Sequence, residues 1–309
     1  MQTQSSVRRR ATAQMARRKL GRDQWQECMM LLPFLFFFVV FIILPILASV
    51  VLSFTDFNML QWPKFVFLEN YTSLFLDDDI FLTSVKNTLV FAFLTGPLSY
   101  FLCLFFAWLI NEMPKKLRLL FTLIFYAPSI AGNIFVVWTA ILSGDRYGLL
   151  NSFLLRLGFI HDPVKWLTDP AYTLGVVIVV QLWLSLGISF LSFIAGFQGI
   201  DRSMYEAGAV DGIRNRFQEL VYLTLPSMAP MLLFSAVMQI TASFGVGAVS
   251  SALVGNPSTD YSAHTVVLHM QDYGMIRYEM GYASAISVVL FLAMILTNTL
   301  IKKILSRYN

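Results

Sequence analysis

The sequence is poor in cysteine, histidine and charge. Its two cysteines, Cys28 and Cys103, exclude a disulfide framework and a cysteine-rich metal site. Its three histidines are too dispersed to predict an obvious ligand set. Only 13% of the 309 residues are charged, against roughly 25% in soluble domains. Because 57% of the residues are hydrophobic, one water-soluble core cannot hide the apolar surface, and the expected solvent is lipid.

Six apolar runs are long enough to cross a bilayer, which takes about 20 helical residues. The predicted fold class is therefore an all-α polytopic membrane protein, with a transmembrane domain over residues 29–305. A basic segment, 1–28, precedes this domain and a short tail, 306–309, follows it. The length of the basic region and of the first run predicts an uncleaved first helix, not a signal peptide. The six runs cover residues 29–54, 86–111, 119–142, 171–198, 227–253 and 281–301.

Lys and Arg are distributed unevenly between the two sides of the predicted bundle. Sixteen of the 22 lie in the terminal segments or in the loops 112–118 and 199–226. The other six lie in or beside the loops 55–85, 143–170 and 254–280. The positive-inside rule therefore places both termini and the 199–226 loop in the cytoplasm. Because the charges follow the loops and not one face, the net charge of +4 does not predict nucleic-acid binding.

The central part of each apolar run contains no Asp, Glu, Lys, Arg or His. Ion-coupled transporters and pumps generally need an intramembrane ionisable group. This absence argues against a proton- or sodium-coupled porter, an intramembrane protease and a metalloenzyme. The energy for any transport is therefore expected to come from elsewhere. Pro45, Pro97 and Pro128 lie inside apolar runs and predict kinks.

Uncharged polar residues recur at helical spacing in the fourth and fifth runs. Such side chains share one face of a helix and can exchange hydrogen bonds with a hydroxyl-rich solute. Aromatic rings beside them could stack on sugar rings. The alternative is helix–helix packing, because small residues allow helices to approach closely in a membrane. The candidate pathway residues are Gln181, Trp183, Ser185, Ser189, Ser235, Gln239, Ser243 and Phe244.

The loop 199–226 carries local signals for two short helices. Ser203 and Glu206 have the spacing of a capping box, and Gly212 is suited to end the helix in left-handed geometry. A second short helix is expected through Phe217, before the next span begins. Tyr205 and Phe217 are candidate aromatic anchors for a groove on another protein. The alternative is an amphipathic re-entry loop without a partner.

At this loop the sequence resembles the integral membrane permease subunits of binding-protein-dependent ABC importers, in the carbohydrate branch related to the maltose and glycerol-3-phosphate systems. Their motif reads Glu-Ala-Ala, a Gly four residues further on, and a later Ile/Leu-x-Leu-Pro. Glu206, Ala207 and Gly212 match it, and Gly208 replaces the second Ala. The other matches are Asp211, Leu223, Leu225 and Pro226 in the loop, and the segments 65–71, 126–128, 148–151, 166–170 and 195–198 elsewhere.

The resemblance covers about residues 29–305 and implies the type I ABC importer permease fold. It implies that the loop docks on a cytoplasmic ATPase subunit. The chain has no Gly-rich phosphate loop, so it is expected not to be an enzyme and to bind no cofactor, while partner subunits use ATP and Mg. The implied ATPase-coupling residues are Tyr205, Glu206, Ala207, Gly208, Asp211, Gly212 and Phe217.

The predicted function is the transmembrane subunit of an ATP-driven importer of a sugar or oligosaccharide, in a bacterial or archaeal cytoplasmic membrane. The expected partners are a second homologous permease, two ABC ATPase subunits, an extracytoplasmic solute-binding protein and the lipid bilayer. The alternative is an ion-coupled secondary sugar transporter. That alternative needs an intramembrane carboxylate or paired inverted repeats, and the sequence shows neither.

Overall fold

The computed structural model describes residues 29–132 and 134–305, with backbone alone at 304 and 305. The predicted basic segment 1–28 and tail 306–309 lie outside the described residues. The chain divides at Leu52 into two compact units, the first ending there and the second beginning at Ser53. By length and apolar composition the described residues contain five single spans, and a bent helix pair makes a sixth if counted as one.

Helix α1, Met29–Leu52, has 24 residues and no buried side chain, as expected of a helix that faces lipid. It contains a π turn at Val39–Ile43, and the N–H of Leu44 donates to the carbonyl of Val39, five residues back. Pro45 follows directly. Because proline has no N–H and crowds the preceding turn, the hydrogen-bond ladder shifts at this point.

Helices α2 (Glu69–Leu76) and α3 (Asp79–Asn111) follow in the second unit. The predicted start of the second span at residue 86 was too late. Asp78 caps α3, because its carboxylate accepts from the N–H of Phe81 at 2.8 Å. The helix therefore begins in the loop 55–85, before the apolar sequence does.

The predicted span 119–142 is not one continuous helix. The chain forms α4 (Lys115–Ile130) and α5 (Phe135–Ile141), whose axes differ by 89°. Ala131 is extended (φ −81°, ψ 106°) and precedes Gly132, a poor helix former, so α4 ends there. A short helix in the loop 143–170, α6 (Leu149–Arg156), then precedes the next span.

Two further predicted spans, 171–198 and 227–253, are each interrupted. Helices α7 (Pro170–Leu184) and α8 (Ile188–Gln198) are separated at 185–187. After α9 (Arg202–Val210), helices α10 (Ala229–Phe244) and α11 (Ala248–Val254) are separated at 245–247. Both breaks contain glycine, which weakens a helix by about 1 kcal/mol relative to alanine.

The last described elements are a short helix, α12 (Val266–Gln271), and a span, α13 (Met280–Leu305). Between α9 and α10 lie three consecutive helical pieces, Arg216–Gln218, a π turn at Glu219–Thr224, and Leu225–Ser227. We call residues 216–227 the link segment. At the end of its π turn, the N–H of Leu225 donates to the carbonyl of Leu220. Pro226 follows directly, as Pro45 follows the π turn of α1.

Helices α3, α8 and α10 pack against one another at the centre of the second unit. They enclose an apolar cluster that contains Cys103 of α3, Phe190 and Phe193 of α8, and Met228 before α10. A second cluster joins Phe91 to α7 and α11. Residues on both sides of the breaks in these spans therefore pack into the core.

Candidate functional site

Helix α9 begins at an aspartate cap. Asp201 is extended (φ −67°, ψ 133°), and its carboxylate accepts from the N–H of Ser203 at 3.1 Å. This hydrogen bond lowers the pKa of Asp201 below its ordinary value. The predicted capping box of Ser203 and Glu206 is therefore wrong, because Ser203 already lies inside the helix and Asp201 does the capping.

Helix α9 ends in a Schellman turn, as the sequence predicted for Gly212. Gly212 has φ +95°, which glycine adopts without steric cost. The N–H of Ile213 donates to the carbonyl of Gly208 at 3.0 Å, and the N–H of Gly212 donates to Ala209 at 3.4 Å. After the turn, residues 213–215 lead into the link segment.

The inner face of α9 contacts the link segment. The Tyr205 hydroxyl lies 3.1 Å from the Thr224 hydroxyl, which in turn bonds the carbonyl of Glu219 at 3.1 Å. Because Thr224 has one proton and gives it to that carbonyl, Tyr205 is the donor to Thr224. Tyr205 therefore anchors α9 to its own chain, whereas the sequence suggested an anchor for another protein.

Gly208 also lies on this inner face. It is buried, and a Cβ there would come within 2.6 Å of Leu223 Cδ1 and 3.2 Å of Ile213 Cδ1. The replacement of alanine by glycine in the motif therefore affects contact with the link segment, not the exposed side of α9.

The outer face of α9 is exposed and mostly small or apolar. Glu206, Ala207 and Asp211 are exposed on it or at its end. Val210 is 88% exposed and Phe217, at the start of the link segment, is 66% exposed. Val210 was missed from the sequence, although it continues the spacing of Glu206 and Ala207 along one face. Exposed apolar side chains beside small ones are suited to contact another protein.

Arg216 connects the link segment to the end of α3. Its guanidinium lies 2.7 Å from the Glu219 carboxylate and 3.4 Å from that of Glu112. The hydrogen bond to Glu219, with the charges of Glu112 and Glu219, raises the pKa of Arg216. Sequence reasoning did not find this pair, because residues 104 positions apart carry no local signal of contact.

The predicted pathway residues of α8 and α10 are mostly occupied in helix packing. Ser189 and Ser235 are buried, and each hydroxyl donates to the other's carbonyl, at 3.3 and 3.4 Å. Ser243 is buried, bonds the carbonyl of Ile240 at 2.8 Å and lies against Gly96. The packing alternative thus accounts for these three serines in this conformation, and their contact with a solute stays a prediction.

Ser185 and Gln239 meet at the break between α7 and α8. The carbonyl of Ser185 accepts from Gln239 Nε2 and from Cys103 Sγ, both at 3.4 Å. Gln239 Nε2 also lies 3.2 Å from Cys103 Sγ. The buried amide of Gln239 therefore fixes the backbone of the break, and this contact explains why an amide is tolerated there.

Three candidate pathway residues are half-buried, Gln181 and Trp183 on α7 and Ser185 in the break that follows it. Trp183 packs edge-to-face on Trp138 of α5, with ring centroids 5.4 Å apart. Phe244 is buried instead, and it lines an apolar cavity of about 420 Å³ between α3, α10 and α13. The Ser185 hydroxyl donates to the carbonyl of Leu182 at 2.6 Å, so Gln181 and Trp183 are the better candidates for contact with a solute.

Two of the three histidines, His264 and His269, come together beside Asp78, at the start of α3. The rings of His264 and His269 lie 5.6 Å apart and both are buried. Asp78 accepts from Tyr282 at 2.8 Å and pairs with His269 Nε2 at 2.9 Å. Burial acts to raise the pKa of Asp78, but the hydrogen bonds of Phe81, Tyr282 and His269 outweigh it and lower that pKa. Burial lowers the pKa of His264 to about 4.

Broken membrane spans, packed around a core and joined by a capped helix with an exposed face, define a multi-pass membrane protein. The chain belongs to the family described as "Binding-protein-dependent transport system inner membrane component", whose profile matches residues 105–309. This membership confirms the resemblance drawn from the loop motif, and it makes the chain a multi-pass membrane permease component.

Individual relatives agree with this assignment. The chain is 31% identical over 286 residues to a probable ABC transporter permease, YesP, of Bacillus subtilis (strain 168), covering 91% of this chain and 90% of that protein. It is 28% identical to the arabinooligosaccharide permease AraP of the same organism, covering 88% and 86%. It is 29% identical to the sn-glycerol-3-phosphate permease UgpA of Pectobacterium atrosepticum, covering 90% and 93%.

Solved structures share the fold. The chain aligns with a subunit of a bacterial ABC transporter involved in the import of the acidic polysaccharide alginate, with a TM-score of 0.78 at 22% identity, over 93% of this chain and 96% of that one. It also aligns with the alginate transporter in complex with an alginate pentasaccharide-bound periplasmic protein, with a TM-score of 0.75. The predicted ABC importer permease fold is therefore confirmed.

Proposed function

We propose that this chain is the permease subunit of an ATP-driven importer that takes up a sugar or oligosaccharide delivered by an extracytoplasmic solute-binding protein. Relatives named for arabinooligosaccharide and sn-glycerol-3-phosphate transport support a carbohydrate or sugar-derived solute. The single observation that carries the mechanism is the two-sided construction of α9. Its inner face is fixed to the link segment, while its outer face is free to contact a partner.

The proposed coupling begins when the outer face of α9 seats in a cleft of a cytoplasmic ATPase subunit. ATP and Mg act on that partner, and this chain supplies no phosphate-binding group. Closure of the ATPase pair moves α9, and the motion passes through Tyr205–Thr224 and Gly208–Leu223 to the link segment. Pro226 lies near the end of that segment, just before α10. Arg216 transmits the same motion to Glu112 at the end of α3.

The proposed solute path runs beside the helix breaks of α4–α5 and α7–α8. Irregular backbone within a membrane is tolerated where it lines a cavity or is buried in protein. Gln181 offers an amide and Trp183 an aromatic face near these breaks. A second, homologous permease subunit would supply the other half of the path. This arrangement puts both termini and α9 in the cytoplasm and the loops 55–85, 143–170 and 254–280 outside.

Reconstitution tests this function against the ion-coupled alternative. The chain is assembled with its second permease and ATPase subunits in proteoliposomes, and the loaded binding protein is added on the outer-loop side. We expect sugar uptake that requires ATP on the opposite side and is unchanged by ionophores. Uptake driven by a proton or sodium gradient without ATP would establish the secondary transporter instead.

A further inference from the structure

Helix α6 is held rigidly in the outer loop between α5 and α7. Its Asn151 is fully buried. The Asn151 amide nitrogen donates to the carbonyls of Ser143, Asp145 and Val164 at 2.9–3.1 Å. Its amide oxygen accepts from Trp166 Nε1 at 2.9 Å and from the N–H of Val164 at 3.2 Å. The orientation of α6 is therefore fixed by side-chain bonds, as it would be in a folded core.

The buried face of α6 is seated on the outer parts of two membrane elements. Leu150 lines an apolar cavity of about 460 Å³ together with Trp138 and Ile141 of α5, and with Trp166 and Tyr172 near the start of α7. The Trp166 and Tyr172 rings pack edge-to-face, 5.4 Å apart. Paired Trp and Tyr near the beginning of a span are typical of the membrane–water boundary.

The exposed face of α6 has an apolar edge and a polar edge. Leu149, Phe153 and Leu157 are 62%, 59% and 54% exposed. At about 100° per residue, these three positions follow one another around the helix, and Ser152 and Arg156 come next to them on the other side. A helix with adjoining apolar and polar edges is suited to lie in the plane of a membrane surface.

The exposed apolar surface continues on the elements that carry α6. Val136 and Val137 of α5 are 67% and 52% exposed, and Val179 of α7 is 57% exposed. Phe159, just after α6, is 75% exposed. Val179 lines the same cavity as Leu150, so the exposed apolar surface of α7 adjoins α6. The Trp166–Tyr172 pair is typical of a membrane boundary, and there the polar edge of α6 favours lipid over the second permease.

We propose that α6 lies in the outer surface of the bilayer, with Leu149, Phe153 and Leu157 inserted at the boundary of headgroups and acyl chains. Ser152 and Arg156 face the headgroups and water. Because Asn151 fixes α6 to the rest of loop 143–170, this contact sets the height of that loop above the membrane. The occupant of the apolar edge is therefore lipid, not a partner protein.

Spin-label accessibility tests this placement in the complete transporter. Single cysteines replace Leu149, Phe153, Leu157, Ser152 or Arg156 in a Cys28→Ser background, and each assembled complex is labelled in lipid nanodiscs. Cys103 is buried. The background protein without an added cysteine, treated with the same label, checks that Cys103 does not react. Collision rates are measured with oxygen, which concentrates in lipid, and with a water-soluble nickel chelate. Stimulated ATPase activity of each labelled complex verifies its assembly.

We expect the ratio of oxygen to nickel collisions to be several-fold higher at 153 and 157 than at the matched positions 152 and 156. High nickel collision at all five positions would place α6 in water and overturn the proposal. Low collision with both probes at 149, 153 and 157 would mean that a protein covers the apolar edge, which overturns it equally. If one substitution prevents assembly, the two remaining positions of the apolar edge give the same comparison.

Discussion

The Tyr205 hydroxyl donates a hydrogen bond to Thr224 across 3.1 Å, and this bond ties α9 to the π turn that leads into α10. Thr224 is buried and itself bonds the carbonyl of Glu219. A movement of α9 is therefore transmitted to a π turn, where the helical hydrogen-bond ladder is already shifted. Such a turn can change register at lower cost than a regular helix.

Removal of this bond should weaken coupling without preventing assembly. Tyr205→Phe keeps the ring and removes one hydrogen bond, whose net contribution is about 0.5–1.5 kcal/mol. We expect the ATPase subunits to copurify normally while the sugar imported per ATP hydrolysed falls. Tyr222→Phe is the matched control, because Tyr222 is 68% exposed. An unchanged ratio in Tyr205→Phe would show that the bond is not part of the transmission.

Position 208 should accept alanine but reject larger residues. The Cβ of an alanine would displace the flexible ends of Leu223 and Ile213, and the helix gains about 1 kcal/mol in propensity over glycine. We expect Gly208→Ala to leave the melting temperature nearly unchanged, and Gly208→Leu to destabilise by about 1–3 kcal/mol through overpacking. Gly208→Leu with Leu223→Ala should recover part of the loss. Equal melting temperatures for Gly208→Leu and the parent would contradict the burial of this position.

The buried pair His264 and His269 should make stability depend on pH. Burial holds the pKa of His264 at about 4, against 6.5 for an ordinary histidine. A depressed folded-state pKa means that the unfolded chain binds more protons between these values. Stability is therefore complete above pH 6.5 and falls by up to about 1.4 kcal/mol per pH unit down to pH 4. The lowered pKa of Asp78 acts in the same direction at more acid pH.

Thermal unfolding of the purified complex between pH 4 and 7.5 measures this dependence. His264→Gln removes the titrating group and should flatten the curve between pH 4 and 6.5, whereas His161→Gln in the outer loop should leave it unchanged. A slope that survives His264→Gln would assign the pH dependence to another group.

Substitutions at two glutamines distinguish a role in solute contact from a role in helix packing. Gln239 donates to the Ser185 carbonyl and to Cys103, so Gln239→Leu leaves buried polar atoms poorly paired and should cost about 1–3 kcal/mol in stability. Gln181 is half-buried on α7, so Gln181→Leu should lower the rate of sugar uptake with little change in melting temperature. If Gln181→Leu leaves uptake intact, the proposed path does not pass this amide.

The sequence was sufficient for features that depend on local pattern. Apolar length predicted the spans, and the loop motif with Gly212 predicted the end of α9. The breaks at 131–134, 185–187 and 245–247 were missed, because apolar length is the same for a broken and a continuous helix. The start of α3 was missed because it depends on the cap at Asp78, ahead of the apolar residues.

Contacts between distant residues account for the remaining differences. The pairing of Asp78 with His269 and of Arg216 with Glu112 joins residues more than 100 positions apart. No periodicity in one sequence encodes such a pair. The two faces of α9 needed the structure for the same reason, since only the fold shows that Tyr205 and Gly208 point toward the link segment.

Copurification of the ATPase subunits tests the central claim that the outer face of α9 is their docking surface. Val210→Asp and Glu206→Arg change side chains that are exposed, so the fold should change by no more than about 0.5 kcal/mol. Tyr147→Asp, at a residue 92% exposed in the outer loop, is the control. We expect the first two variants to lose most of the bound ATPase and of ATP-dependent uptake, and the control to keep both. Full retention of ATPase and uptake in Val210→Asp and Glu206→Arg would contradict the account.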